Sequence, residues 1–132
     1  MVQSSFNSSG ICLLYPSRSL LWQVWEWIQG RGQEQFHLLA ANTADGVRDF
    51  LRGGSIALID GSEHPSLAAE ALDTALPELG SERVVVYSER TNQELEILTR
   101  TCRAHFLLGP MNPAEWNDLF TVLNRQLIAS RV

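Results

Sequence analysis

Short apolar runs alternate with stretches in which apolar residues recur every three or four positions, and the alternation repeats five times. Ile11-Cys12-Leu13-Leu14-Tyr15 is a continuous apolar run, the pattern of a strand covered on both faces. Pro16 and Ser17 end it. Ser17 is placed to cap a helix in which Leu20, Leu21, Val24, Trp25 and Ile28 recur at helical spacing. Gly30 and Gly32 are expected to stop that helix. A second strand follows from Phe36 to Ala41, then a short helix capped by Thr43, carrying Val47, Phe50 and Leu51 and closed by Gly53-Gly54. The third strand runs from Ile56 to Asp60. The next helix carries Leu67, Ala68, Ala71, Leu72, Ala75 and Leu76, with Pro77 and Gly80 bounding its end. Arg83 to Ser88, rich in β-branched residues, is the fourth strand. Thr91 or Asn92 caps a helix with Leu95, Leu98 and Cys102, and His105-Phe106-Leu107-Leu108 is the fifth strand. Asn112 caps the last helix, with Pro113 at its first position, where a missing N–H costs nothing. Trp116, Leu119, Phe120, Leu123, Leu127 and Ile128 supply its apolar face.

Five strand–helix units with short loops predict an α/β domain of three layers, a doubly wound parallel sheet with helices on both faces. Right-handed crossovers favour the strand order 2-1-3-4-5, the flavodoxin-like arrangement. In that order the switch point falls between strands one and three. The crevice at the strand ends is then lined by Tyr15, Pro16 and Ser17, by Asp60 to Ser62, by Ser88 and by Gly109.

Composition narrows the function classes. A chain of 132 residues with 45% hydrophobic and 19% charged residues has the size and balance of one globular domain. We expect a disordered leader over residues 1–10 and a single domain over 11–132, and the start at Met1 and short tail Arg131-Val132 suggest a complete, stand-alone chain. The net charge of −5 argues against a general nucleic-acid binder, which needs a basic face. No apolar stretch reaches the roughly 18 residues of a membrane span, and the N-terminus is not a signal peptide, so a cytoplasmic location is expected. Cys12 and Cys102 read as free thiols, outside any metal-binding spacing.

With these elements in place, the chain resembles a receiver domain of two-component response regulators, from about Ile11 to about Ser130. Asp60 stands where that family keeps its phosphoacceptor aspartate, and Pro65 follows within a turn. Ser88, ending strand four, matches the Ser/Thr that contacts the phosphoryl group. Phe106 matches the switch aromatic of strand five, and Pro110 the proline that follows a cis peptide bond. The resemblance implies a CheY-like fold, and protein partners such as a histidine kinase, a phosphotransfer protein or another regulator. It also implies a homodimer face formed by the helix after strand four, by strand five and by the last helix, including Glu94, Arg100, Arg103, Trp116 and Asn117.

The departures point away from the family's chemistry. Receivers hold Mg²⁺ on an acidic pair at the end of strand one, where this chain has Tyr15-Pro16. Mg²⁺ requires near-octahedral oxygen coordination, and Asp60 alone is a poor site. Receivers place a lysine before the strand-five proline, where this chain has Gly109. Phosphoryl transfer needs the charge on the equatorial oxygens neutralised, and both neutralising groups are missing. We therefore expect a pseudo-receiver: no enzyme, no cofactor, and no Mg²⁺-dependent phosphorylation. The alternatives are a conventional phosphoacceptor using Asp60 and a small-ligand binder using the crevice, where glycine in place of lysine opens room.

Individual residues carry plainer readings beside these. Asp60 can cap the turn after strand three by accepting backbone N–H bonds, Ser88 can be a polar strand end, and Phe106 can be core. No G-x-S-x-G elbow, P-loop or G-x-G-x-x-G follows a strand. His64 lies in a loop beside the crevice and is expected to be solvated. Trp22, Trp25 and Trp27 cannot all face one way on a single helix, so at least one is exposed. With Trp116 they form a candidate partner surface, because exposed tryptophan is enriched where proteins dock.

Overall fold

Alternate residues of a strand point to opposite faces, and in the central strands of this sheet both directions lead into protein. The computed structural model describes residues 9–32, 36–42 and 56–130. Five strands, β1 (Ser9–Leu14), β2 (Phe36–Ala41), β3 (Ile56–Asp60), β4 (Val84–Ser88) and β5 (His105–Leu108), form one parallel sheet. Their order is β2-β1-β3-β4-β5, as the sequence predicts. Every residue of β3 and β4 is buried. Four helices are described: α1 (Arg18–Trp27), α2 (Pro65–Leu79), α3 (Gln93–Thr101) and α4 (Pro113–Ser130). The helix expected after Thr43, residues 1–8 of the expected leader, and the side chains of Leu127 and Ile128 lie outside the described residues. Among the described residues no helix is long and apolar enough to cross a membrane.

The two faces of the sheet pack differently. On one face, Cys12, Leu14, Ala57, Ile59, Val84 and Val86 meet Ala68, Ala71, Leu72 and Ala75 of α2 and Leu95 of α3. Alanines on α2 let that helix lie close to the strands. On the other face, Ile11, Leu13, Ile56, Leu58, Val85 and Tyr87 meet α1 and α4 through an aromatic cluster. Trp27 stacks on Phe120 at 4.9 Å between ring centroids, Phe120 on Trp116 at 5.9 Å, and Trp116 tilts against Tyr87 at 5.6 Å. The Trp27 indole N–H donates to the Oδ1 of Asn117 (3.2 Å), so the core side of α1 is tied to α4 by a hydrogen bond as well as by rings.

Helix starts follow the predicted chemistry. The Ser17 hydroxyl accepts from Leu20 N–H, and Asn92 Oδ1 from Leu95 N–H. Asn112 and Glu115 form a reciprocal capping box, each side chain accepting the other's backbone N–H. Several boundaries differ from expectation. Ser9 and Gly10, placed in the leader, belong to β1, because β2 continues the backbone ladder to them. Gly30 and Gly32 do not stop the first helix but continue it as a π-helical turn, Ile28–Gly32. Pro77 lies inside α2, within its last turn, where only one intrahelical bond is lost; Gly80 ends the helix at a φ of 83°. Leu21 and Trp25, assigned to the buried face of the first helix, are 40% and 50% exposed; Leu20, Val24 and Trp27 form that face instead.

Two outcomes test this core. Trp27→Ala is expected to lower stability by about 3–5 kcal/mol, because it opens a cavity against the rings of Phe36 and Phe120. Trp22→Ala, at a position 63% exposed, is expected to cost less than about 1 kcal/mol in the same urea titration. Burial pushes the Cys12 thiol up from 9.0 to about 11. The unfolded chain therefore releases this proton first as pH rises. Stability is full below pH 9 and falls through pH 11, with a slope of up to about 1.4 kcal/mol per pH unit from this group. Cys12→Ala is expected to flatten that part of the pH–stability curve.

Candidate functional site

The chain leaves β1 for β2 and returns to β3 on the other side, so the carboxyl ends of β1 and β3 diverge and leave a crevice. Asp60, the last residue of β3, lies there and is 2% exposed. Its Oδ2 accepts the backbone N–H of Ser17 at 2.8 Å, and its Oδ1 accepts the backbone N–H of Ser62 at 2.8 Å. The second bond closes an Asx turn over Gly61. The first joins β3 to the residue that caps α1. The first turn of α1 carries no acidic residue of its own. Asp60 thus brings the negative charge that favours a helix N-terminus.

Neighbouring loops are tied in the same way. Gly61 N–H donates to the carbonyl of Tyr87 (2.8 Å), and Glu89 N–H to the Ser62 hydroxyl (2.9 Å). Ser88, fully buried, turns its hydroxyl into its own loop, donating to the carbonyl of Arg90 (2.6 Å) and accepting Arg90 N–H (3.1 Å). Tyr15 leaves β1 in the left-handed region, with a φ of 54°, and its N–H bonds to the carbonyl of Ala41. Phe106 is half-buried and packs against the α2 and α3 side of the core. The Gly109-Pro110 peptide bond is cis.

Two residues not singled out in the sequence decide the rest of the crevice. Tyr87 is fully buried on β4, and its ring lies so close to Gly109 that a side chain on Gly109 would collide with it. The room expected from glycine in place of lysine is therefore filled by a phenol ring, and the opening anticipated for a small ligand is closed on that side. Burial raises the Tyr87 phenol well above its ordinary value, keeping it neutral. Its oxygen accepts from Gln23 Nε2 (2.9 Å), and Gln23 Oε1 accepts Met111 N–H (2.9 Å), so one amide on α1 holds both β4 and the loop after β5. A tyrosine one residue before Ser88 is the only sequence signal for this. Gln23 gave none, since a polar residue on an amphipathic helix ordinarily faces water.

These residues do not fit a Mg²⁺ ion. The Asp60 oxygens each hold a backbone N–H, Tyr15 and Pro16 contribute no carboxylate, and among the described residues no group of three His, Cys, Asp or Glu side chains could hold a metal. His64 is exposed in its loop, immediately before α2.

The candidate partner surface divides. Trp22 and Trp25 are 63% and 50% exposed and stack on each other at 5.7 Å. Trp27 and Trp116 are fully buried, because both sit on the sheet-facing stripes of their helices. They are core residues, not contact residues.

Solved structures share this fold, although no protein-family model and no curated protein matches the chain. A CheY-like response regulator receiver domain protein from Methanospirillum hungatei aligns over 94% of this chain and 97% of its own, with 16% identity and a TM-score of 0.67. A response regulator from Thermotoga maritima aligns over 88% and 97%, with 15% identity and a TM-score of 0.67. The chain has the receiver fold. The same fold is shared by a pilus assembly protein CpaE from Caulobacter crescentus, which aligns over 80% of this chain and 86% of its own, with 14% identity and a TM-score of 0.56.

A carboxylate set among other carboxylates is destabilising, and its removal relieves repulsion. Asp60 is placed the other way, bonded to two N–H groups that have no substitute. Asp60→Ala is therefore expected to lower stability by about 2–4 kcal/mol, read as a fall in urea midpoint at unchanged m-value. A stabilised variant would contradict this account of the site.

Proposed function

We propose that this chain is a receiver-fold signalling module of the pseudo-receiver type, acting through protein contacts without Mg²⁺-dependent phosphorylation of Asp60. The observation that carries the reading is the engagement of both Asp60 oxygens by the N–H groups of Ser17 and Ser62. An N–H bond on each oxygen withdraws charge and lowers its nucleophilicity, and the same bonds tie Asp60 to the start of α1 and to the loop after β3. Charge neutralisation adds to the difficulty. Gly109 supplies no cation, and Tyr87 occupies the space a longer side chain would need. Ser88, bonded to Arg90 at both its donor and its acceptor, has no need of a phosphoryl partner. Expected partners are proteins of a two-component or related regulatory pathway.

The familiar pairing face of the receiver fold is weakened here. Trp116 is buried, Asn117 accepts from Trp27, and Arg100 pairs with Glu96 within α3 at 3.0 Å. Ile97, Leu98, Leu108 and Val122 remain as the large exposed apolar groups on α3, β5 and α4 among the described residues.

Incubation with a small acyl phosphate and Mg²⁺, followed by intact-mass measurement, tests the proposal. No phosphoryl adduct is expected. A stable single adduct that disappears in Asp60→Ala would overturn the reading in favour of a conventional phosphoacceptor.

A further inference from the structure

The exposed face of α1 is built unlike the other helix surfaces. Arg18, Leu21, Trp22 and Trp25, with Leu38 of β2, line an open groove of about 500 Å³. β2 is an edge strand, so the groove lies at the rim of the sheet. Two stacked indoles in water are costly to leave uncovered, and tryptophan is the residue most enriched at contact centres. Along the helix axis, the charges beside Trp22 are evenly spaced. Arg18 lies four residues before Trp22 and Glu26 four residues after it. Each is therefore about 6 Å from Trp22 along the helix axis, in opposite directions. Both are exposed, and neither has an ion-pair partner among the described residues.

An arrangement of one positive and one negative group at equal distances from an aromatic centre is self-complementary under a two-fold axis. We infer that α1 pairs antiparallel with α1 of a second copy of this chain, about an axis through Trp22. In that pairing the Arg18 of each copy comes level with the Glu26 of the other, and Trp22 and Trp25 of both copies share one apolar core. The inference deepens the reading that the chain acts through its surface, and it names the partner for this face. Area sets the strength. At roughly 150–250 Å² per aromatic side chain, the two tryptophans leave only about 170–280 Å² uncovered per copy. Even with Leu21, Leu38 and the Arg18 stem added, the total falls below the roughly 1,200 Å² at which stable interfaces begin. The dimer is accordingly weak and reversible, populated at high local concentration.

Sedimentation equilibrium over a wide concentration series tests this, with circular dichroism confirming that each variant is folded. The wild-type chain is expected to show a monomer–dimer equilibrium. Trp22→Ala should abolish it. Arg18→Glu and Glu26→Arg should each weaken it about tenfold, the effect of about 1.4 kcal/mol, because each places like charges opposite one another at both ends. The double variant Arg18→Glu/Glu26→Arg should regain wild-type association. An equimolar mixture of the two single variants should also associate, since both contacts then join opposite charges. A chain that stays monomeric throughout overturns the inference. So does a dimer indifferent to Trp22→Ala and to charge exchange, which would place the interface at Ile97, Leu108 and Val122. Neither result bears on whether Asp60 accepts a phosphoryl group, so this inference and the proposed function fail separately.

Discussion

Two backbone N–H groups, from Ser17 and Ser62, meet on the carboxylate of Asp60, and the upper edge of the sheet is organised around that meeting. A charged group can be buried only where its oxygens are satisfied. Asp60 accepts one bond on each oxygen by drawing in the loop that follows β3 and the turn that precedes α1. Ser17 then uses its hydroxyl to cap α1, and Ser62 uses its hydroxyl to hold Glu89 after β4. One carboxylate thus fixes three loop ends. The upper edge of the sheet is tied into one knot by these bonds.

The crevice beside it is closed by packing of a different kind. Gly109 has no side chain, and Tyr87 lies against its backbone with its hydroxyl held by Gln23. The absence of a side chain at Gly109 and the bulk of the Tyr87 ring are complementary in space, although the two residues are 22 positions apart in sequence. Gln23 completes this packing by bonding to both Tyr87 and Met111, so one side chain joins α1, β4 and the loop after β5.

The aromatic layer gives α1 two unlike sides. Its inner stripe, Leu20, Val24 and Trp27, is locked into rings contributed by β2 and α4. Its outer stripe carries stacked Trp22 and Trp25 in solvent. A helix held so firmly from within can carry an exposed aromatic pair at little conformational cost, which suits it to association.

Strand positions and their order were legible in the sequence, because five buried parallel strands must read as apolar runs and short right-handed crossovers leave few topologies. The caps Ser17, Asn92 and Asn112 were legible for a similar reason: their chemistry is local, set by residues three positions apart. Asp60 could be placed at a strand end, and the absence of its charged companions could be seen. Its bond to Ser17 could not, for it joins residues 43 positions apart. Nor could the collision between Tyr87 and Gly109, or the choice of Trp27 over Trp25 for the core. Helical spacing put Leu21 and Trp25 on the buried face. Which of its apolar flanks turns inward depends on Phe36, Asn117 and Phe120, which come from other elements. Local pattern determined the elements and their order, because periodicity and capping act over a few residues. Tertiary structure alone decided whether Asp60 faces an open site or a filled one, because that turns on side chains that meet only after the sheet has formed.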